Sequence, residues 1–173
     1  MQIRFAEIPP QGMTLEIADQ SWFPAHELER HGVARATVTL SRDGERVVFA
    51  GRLETAFTLT CDRCLECYRH WLEADFRLHL ERSAPDPLAV ADEREHSCRP
   101  EEMDTVFLDE ELVDVLDLLS QQFYLNLPAK SLCRADCRGL CSRCGADLNQ
   151  GDCGCAAEGD NSPFTALRAM KNS

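Results

Sequence analysis

Aromatic residues are scarce in this sequence, and long apolar runs are absent. Phe, Trp and Tyr make up 7% of the 173 residues. No stretch approaches the roughly 18 consecutive apolar residues that a transmembrane helix requires. Neither a glycine-rich phosphate loop nor a G-x-S-x-G motif occurs, which disfavours a nucleotide-binding enzyme and a serine hydrolase. Because no catalytic set is recognisable, we expect no enzymatic activity and no small-molecule substrate.

The N-terminus lacks the features of an export signal. Residues 1–10 contain no basic stretch followed by an apolar one. We therefore expect the chain to remain in the cytoplasm, without a membrane partner. In a reducing cytosol, clustered cysteines bind metals or carry redox chemistry more often than they form structural disulfides.

Positive charge is also in short supply. The chain has 18 basic and 30 acidic residues and a net charge of −12, which works against a broad hold on nucleic acid backbones. Most of the excess lies in residues 81–117, which contain 13 acidic residues and 3 arginines. Such a run is usually a solvated loop and helix face. The alternative is a docking surface for a basic partner.

Alternating apolar and polar residues predict strands over about residues 1–81. The inward positions form three runs at every second residue, around 34–40, 51–61 and 72–80. Asp43-Gly44 supplies a tight turn between the first two runs. Alternation of this kind indicates one buried and one solvated face, as in an antiparallel sheet, and the sheet can curl toward a barrel.

An amphipathic helix is predicted over residues 109–125, with Asp109 as its N-cap. The apolar stripe of this helix consists of Leu112, Val115, Leu116, Leu119 and Phe123. These patterns predict an α+β domain over residues 1–127, in which the helix packs on the sheet and 82–108 form an acidic loop. A cysteine-rich tail over 128–173 follows and is expected to end in a short helix.

Cysteine is the residue that the sequence has in excess, with ten in all. Six of them crowd into the tail, namely Cys133, Cys137, Cys141, Cys144, Cys153 and Cys155. The segment Cys141-Ser142-Arg143-Cys144-Gly145 has the spacing with which two thiolates hold one Zn²⁺ from a tight turn. Four thiolates with no open position make a structural site, so the sequence predicts structural zinc in the tail.

A second pair, Cys61 and Cys64, ends the second predicted strand. One allocation gives two metal sites, the first formed by Cys61, Cys64, Cys133 and Cys137 and the second by Cys141, Cys144, Cys153 and Cys155. The single residue between Cys153 and Cys155 makes the second set awkward, because it strains two ligands of one ion. Free thiols at Cys61 and Cys64 are the alternative at the first set.

Two other kinds of chemistry suit cysteine clusters. The Cys61–Cys64 spacing is that of a thiol–disulfide oxidoreductase, although no capped helix follows the pair as such enzymes require. Four cysteines also bind iron–sulfur clusters, but the Cys-x-x-Cys-Gly turn favours zinc. Cys67 and Cys98 are expected to be unligated thiols.

Three motifs follow one another along the chain. They are Cys61-Asp62-Arg63-Cys64-Leu65 at a strand end, the run from Leu127-Pro128 through Cys133 to Cys155, and Ser162-Pro163-Phe164-Thr165-Ala166-Leu167. This combination resembles the YceD-like family, the large ribosomal RNA subunit accumulation proteins, over most of the chain. Asp147, where the family commonly has asparagine, and Cys67 depart from the pattern.

The resemblance implies a non-enzymatic, cytoplasmic bacterial factor needed for 23S ribosomal RNA to accumulate, through its synthesis, processing or stability. The implied partner is the precursor of the large ribosomal subunit. The negative charge favours docking of a ribosomal protein or assembly factor on the acidic region 81–117. Direct contact with ribosomal RNA is the alternative, through Lys130, Arg134, Arg138 and Arg143.

Overall fold

The computed structural model describes residues 1–83 and 104–155, which divide into two compact units. The sheet unit comprises Met1–Leu59 and Cys67–Ala129. The cysteine-rich unit comprises Thr60–Glu66 and the chain from Lys130 onward. Most of the predicted acidic loop and the predicted terminal helix lie outside the described residues.

Most of the sheet unit is a five-stranded sheet. Its strands, in spatial order, are β2 (Met13–Ile17), β3 (Arg35–Asp43), β4 (Arg46–Thr60), β5 (Cys67–Arg82) and β6 (Thr105–Leu108). β2, β3 and β4 pair antiparallel, whereas β6 runs parallel to β5. The sheet is therefore mixed, and the prediction of a purely antiparallel sheet is wrong at this edge. In the part of the chain that the structure describes, no strand joins the edges β2 and β6, so the barrel does not close.

The buried face of the sheet follows the predicted alternation. In β5 the buried residues are Leu72, Ala74, Phe76, Leu78 and Leu80, which confirms the period-two pattern. In β3 they are Ala36, Val38 and Leu40. Apolar burial on one face of successive strands is the main stabilising contribution to such a sheet.

A single glycine allows β3 and β5 to approach β4 closely. Gly51 lies opposite Val38 in the β3–β4 pair. A Cβ at this position would overlap the Thr37 carbonyl oxygen and lie 2.9 Å from the Phe76 ring. The Phe76 ring stacks on Phe49 at a centroid distance of 5.3 Å. Gly51 therefore leaves room for an aromatic pair beside the strand.

The segment before the helix is a strand rather than the first helical turns. β1 (Gln2–Arg4) pairs antiparallel with β7 (Leu112–Asp114). The helix α1 spans Val115–Leu125, and the Asp114 carboxylate accepts hydrogen bonds from the N–H groups of the first turn. The predicted helix start at Asp109 is thus wrong, as is a loop extending to residue 108, since β6 ends there.

The helix packs on the core through its aromatic residue. The Phe123 ring lies 5.2 Å from the rings of Phe23 and Phe57, between centroids. The other buried residues of the helix are Val115, Leu118, Leu119 and Gln122. The predicted apolar stripe thus covers the sheet unit's core from Val115 onward. Within the described ranges, no helix has both the length and the apolar character needed to cross a membrane.

Candidate metal centres

The first C-x-x-C segment folds into a tight turn between β4 and β5. The Leu65 N–H donates to the Cys61 carbonyl at 2.9 Å. The Cys61 N–H in turn donates to the Glu66 carbonyl, also at 2.9 Å. These two bonds point Cys61 and Cys64 toward the same side of the turn.

The second C-x-x-C segment repeats this turn in the tail. The Gly145 N–H donates to the Cys141 carbonyl at 2.9 Å, and the Cys141 N–H donates to the Ala146 carbonyl at 2.8 Å. Gly145 has a φ of 74°, and Leu65 occupies the same position of the first turn with a φ of 61°. The two turns therefore share one hydrogen-bond pattern and one left-handed residue.

The left-handed backbone at Leu65 gives a testable prediction. An L-residue in this conformation costs about 1–2 kcal/mol, and the Leu65 side chain is 64% exposed, so little packing offsets the cost. We expect Leu65→Gly to stabilise the cysteine-rich unit by about 0.5–1 kcal/mol, the strain relief less the greater freedom of the unfolded chain. Urea unfolding read by trypsin cleavage of this unit measures the change.

Leu65→Ala is the matched control for that substitution. Alanine removes the same exposed side chain but keeps the Cβ that causes the strain. A gain in stability with alanine equal to that with glycine would contradict the strain argument.

Eight cysteines gather into two groups within the cysteine-rich unit. The first cysteine group is Cys61, Cys64, Cys133 and Cys137, and the second cysteine group is Cys141, Cys144, Cys153 and Cys155. In each group the four sulfur atoms lie within 4.8 Å of one another. These are the two sets that the sequence allocation proposed.

The sulfur separations in the first cysteine group fit one tetrahedral ion. Four Zn–S bonds of about 2.3 Å hold thiolates about 3.8 Å apart. The Cys61 and Cys137 sulfurs are 3.8 Å apart, and those of Cys64 and Cys133 are 3.7 Å apart. A disulfide requires about 2.05 Å. The donor set and its spacing therefore suit a metal ion rather than a disulfide.

Gly154 allows Cys153 and Cys155 to serve in one group. Its φ of 72° turns the chain sharply between the two cysteines. A left-handed residue at the single spacer lets both sulfurs face the same point, which an extended spacer does not. The strain that the sequence spacing suggested is thus relieved by a glycine.

In the described part of the cysteine-rich unit, the buried side chains belong to cysteines. Among its described residues, the buried apolar side chains are Cys61, Cys64 and Cys137, and no leucine, valine, isoleucine or aromatic joins them. Hydrophobic burial therefore contributes little to holding this segment in one shape. In these described residues, the main stabilising interactions are those of the two groups themselves and the hydrogen bonds around them.

Two thiols of the first cysteine group, Cys61 and Cys133, have very different pKa values. Burial by itself raises the pKa of the Cys61 thiol. Hydrogen bonds from the backbone N–H groups of Cys133, Cys64 and Arg63 outweigh burial and lower the pKa of Cys61 to about 6. Burial and the neighbouring Cys64 thiol raise the pKa of Cys133 to about 12.

The second cysteine group also contains two thiols with very different pKa values, Cys141 and Cys155. Backbone N–H groups of Cys144 and Arg143 lower the pKa of Cys141 to about 6. The thiols of Cys144 and Cys153 raise the pKa of Cys155 to about 12. Crowded sulfurs resist sharing negative charge, and a divalent cation offsets that repulsion. The charge distribution of both groups therefore favours a bound cation.

Arg63, inside the first C-x-x-C segment, ties the loop to the tail. Its Nη1 donates to the Cys137 carbonyl at 2.7 Å, and its own carbonyl accepts from the Leu140 N–H at 3.1 Å. Asp62 exchanges two further bonds with Ser131, both of 2.7 Å. The motif was visible in the sequence, but nothing in its spacing assigned these positioning roles.

The basic residues proposed to contact RNA are exposed on the surface of the cysteine-rich unit. Arg138 pairs with Asp152 at 2.6 Å, and Arg134 lies 3.6 Å from Asp136. Lys130 and Arg143 are exposed. Carboxylates beside two of the four cations reduce the positive potential that would attract phosphates.

The two remaining cysteines are Cys67 and Cys98. Cys67 is exposed at the start of β5 and belongs to neither group. Cys98 lies outside the described residues. In the ranges that the structure covers, no cysteine forms a disulfide.

Fold and site together define a class: an α+β protein in which a small cysteine-rich unit carries two four-thiol groups able to hold metal ions. The family model described as "Large ribosomal RNA subunit accumulation protein YceD" matches residues 49–171. The chain belongs to this family. The match covers most of β4, all of β5, both cysteine groups and the predicted terminal helix.

A curated relative is described as "Large ribosomal RNA subunit accumulation protein YCED homolog 1, chloroplastic" from Arabidopsis thaliana. It is 23% identical over 154 residues, which cover 79% of this chain and 48% of the relative. The chain thus spans about half the length of that relative. No solved structure matches the chain significantly.

Proposed function

We propose that the two cysteine groups each bind one structural Zn²⁺ and that these ions fold the cysteine-rich unit. The observation that supports this most is that cysteines supply the buried side chains of the unit's described residues, with sulfur separations of 3.7 and 3.8 Å in the first group. When bound, zinc supplies a closed tetrahedral centre with no open position for a substrate.

Zinc accounts for the geometry better than an iron–sulfur cluster. In a multi-iron cluster the thiolates bind different irons and therefore lie farther apart than around one ion. In the first group the sulfurs are spaced for one ion. The matching turns at Cys61 and Cys141 also deliver two thiolates each, as structural zinc sites require.

We further propose that the protein is a non-enzymatic factor that allows 23S ribosomal RNA to accumulate in the bacterial cytoplasm. The family membership supports a role linked to the large ribosomal subunit. Among the described residues, each group consists of four cysteines, and this supports a folding role for the metal. The partner we propose is the large-subunit precursor.

A thiol–disulfide oxidoreductase using Cys61 and Cys64 is the alternative, and the low pKa of Cys61 suits it. Such an enzyme presents its nucleophile to solvent at a helix N-terminus. Here Cys61 is fully buried, Cys64 is 7% exposed, and a strand follows the turn. The geometry therefore favours the metal site.

The role in RNA accumulation is tested in cells that produce only a variant chain. We expect loss of the protein to lower the ratio of 23S to 16S ribosomal RNA. Cys137→Ser should lower it as much, because Cys137 is a buried member of the first group. Cys67→Ser, a matched change outside both groups, should leave the ratio at its normal value. An unchanged ratio after complete loss of the protein would overturn the proposed function.

The acidic region 81–117 is the docking surface that we propose for a basic ribosomal protein or assembly factor. Glu81 and Glu111 already pair with arginines of the sheet unit, at 2.7 and 3.6 Å. Exposed acidic residues in the described part of the region include Asp104, Asp109 and Glu110. Their charge remains available to a basic surface and supports protein docking over direct RNA contact.

Salt dependence distinguishes protein docking from RNA contact. We expect binding to large-subunit precursor particles to keep the same slope against log[salt] after Arg134, Arg138 and Arg143 are replaced by Gln. A phosphate contact contributes close to one unit of that slope. A markedly smaller slope in the triple variant would instead identify these arginines as RNA contacts. Asp109→Asn with Glu110→Gln should weaken binding.

A further inference from the structure

The Asn149 side chain uses all of its amide hydrogen-bonding groups. Its Nδ2 donates to the Cys137 sulfur at 3.4 Å and to Asp147 Oδ1 at 2.7 Å. Its Oδ1 accepts from the Arg138 N–H at 2.8 Å. Both amide hydrogens and the carbonyl oxygen are thus used, and turning the amide over would break all three bonds. The side chain is therefore held in one orientation.

Two cysteines of the second group flank the loop that carries Asn149. Asn149 lies between Cys144 and Cys153, which both belong to that group. The Leu148 N–H donates to the Gly139 carbonyl at 2.9 Å, so the loop runs back along the segment that follows Cys137. An ion held by Cys144 and Cys153 fixes both ends of this loop and lowers its conformational freedom.

The hydrogen bond to Cys137 acts on the first cysteine group. An N–H donor stabilises a thiolate more than a neutral thiol, because the acceptor is charged. Groups that hydrogen-bond to metal ligands raise metal affinity, commonly by about 10–100-fold. Asn149 thus lies in a loop flanked by ligands of the second group and donates a hydrogen bond to a ligand of the first group.

We propose that Asn149 couples the two metal sites, so that an ion in the second cysteine group raises the affinity of the first by fixing the donor to Cys137. Thermodynamic linkage makes the effect mutual, and an ion in the first group raises the affinity of the second by the same factor. The inference rests on the metal binding proposed above. It adds that the two sites fill cooperatively, through one side chain.

The test is a thermodynamic cycle measured on the full chain with Co²⁺, whose thiolate absorption reports binding. The double variant Cys153→Ser with Cys155→Ser disables the second group, so it gives the binding constant of the first. Cys137→Ser disables the first group, so it gives the binding constant of the second. The overall constant for binding two ions, divided by the product of the two single-group constants, is the coupling factor. We expect it to be about tenfold in the unsubstituted chain, within the usual range for coupled sites.

Asn149→Ala should reduce the coupling factor to about one, while both groups still bind Co²⁺. Asn149→Asp keeps the acceptor for the Arg138 N–H, removes the donor to sulfur and sets a carboxylate against Asp147 and Cys137, so its coupling factor should fall to one or below. Gln150→Ala is the matched control: Gln150 donates to Asp147 at 3.1 Å in the same loop and makes no bond to sulfur. Its coupling factor should stay near tenfold.

The outcomes separate this inference from the proposed function. Two ions bound with a coupling factor near one in the unsubstituted chain would overturn the coupling and leave the metal sites intact. A tenfold factor that survives both Asn149 substitutions would overturn the role of Asn149. A chain that binds no Co²⁺ or Zn²⁺ at all would overturn both proposals.

Discussion

Stripping metal from the protein should unfold the cysteine-rich unit and leave the sheet unit folded. Structural zinc contributes about 10–16 kcal/mol in small peptides. Cys61, Cys64 and Cys137 are the buried apolar side chains in the described part of this unit, so little else replaces that contribution. The sheet unit keeps its own core, which includes Leu53, Leu80 and other fully buried side chains.

Two readouts follow the units separately. Both tryptophans, Trp22 and Trp71, lie in the sheet unit, so their fluorescence reports that unit alone. Trypsin cleavage sites in the described part of the cysteine-rich unit are Arg63, Lys130, Arg134, Arg138 and Arg143. We expect a zinc chelator to accelerate cleavage at these sites by at least about a hundredfold while the tryptophan emission stays constant, since a loss of only ~2.7 kcal/mol produces that change.

Single cysteine substitutions provide the control. Cys137→Ser should reproduce the effect of the chelator at the first cysteine group, and Cys67→Ser should leave cleavage unchanged. If the metal-free protein resisted trypsin as well as the untreated protein did, the cysteine-rich unit would owe its shape to something other than metal.

Gly51→Ala should strongly destabilise the sheet unit. The added Cβ overlaps the Thr37 carbonyl oxygen and presses on Phe76 and Val38, at 2.9 and 3.1 Å. Backbone of a central strand cannot move away without breaking its pairing with β3. Overpacking typically costs about 1–3 kcal/mol and can cost more, and we expect about 3 kcal/mol at this position. Urea unfolding followed by tryptophan fluorescence measures the loss.

Gly44→Ala is the matched control in the same sheet. Gly44 has a φ of 65°, but nothing lies within 4 Å of the position of its added Cβ. It should therefore lose only the left-handed preference, about 1 kcal/mol. A loss at Gly51 no larger than at Gly44 would show that the sheet relaxes around the new methyl group.

The sequence predicted the central strands well because their pattern is local. Leu72 to Leu80 alternate with polar residues, and every second side chain is buried, as expected. The parallel strand β6 was not predicted, since four residues at the end of an acidic segment carry no clear periodicity. Strand β7 was absorbed into the predicted helix, because Leu112 has helical spacing to Val115 and Leu116. Only pairing with β1, more than a hundred residues away in sequence, reveals it as a strand.

The cysteine sets were more predictable than the residues that support them. C-x-x-C spacing restricts two thiolates to one side of a turn, and two such turns left few ways to share the remaining four. The relief of the C-x-C strain depends on the φ of Gly154, and the roles of Arg63 and Asn149 depend on contacts across the folded unit. Composition and spacing carry no record of such contacts.

The cysteines buried in the described part of the cysteine-rich unit affect how its stability varies with temperature. The heat-capacity change of unfolding arises mainly from apolar surface newly exposed to water. The described part of this unit buries little hydrocarbon and so exposes little on unfolding. We therefore expect a flat stability curve for it, without the pronounced decline on cooling that a hydrocarbon core produces. On cooling, we therefore expect the free energy of unfolding to fall more for the sheet unit than for the cysteine-rich unit.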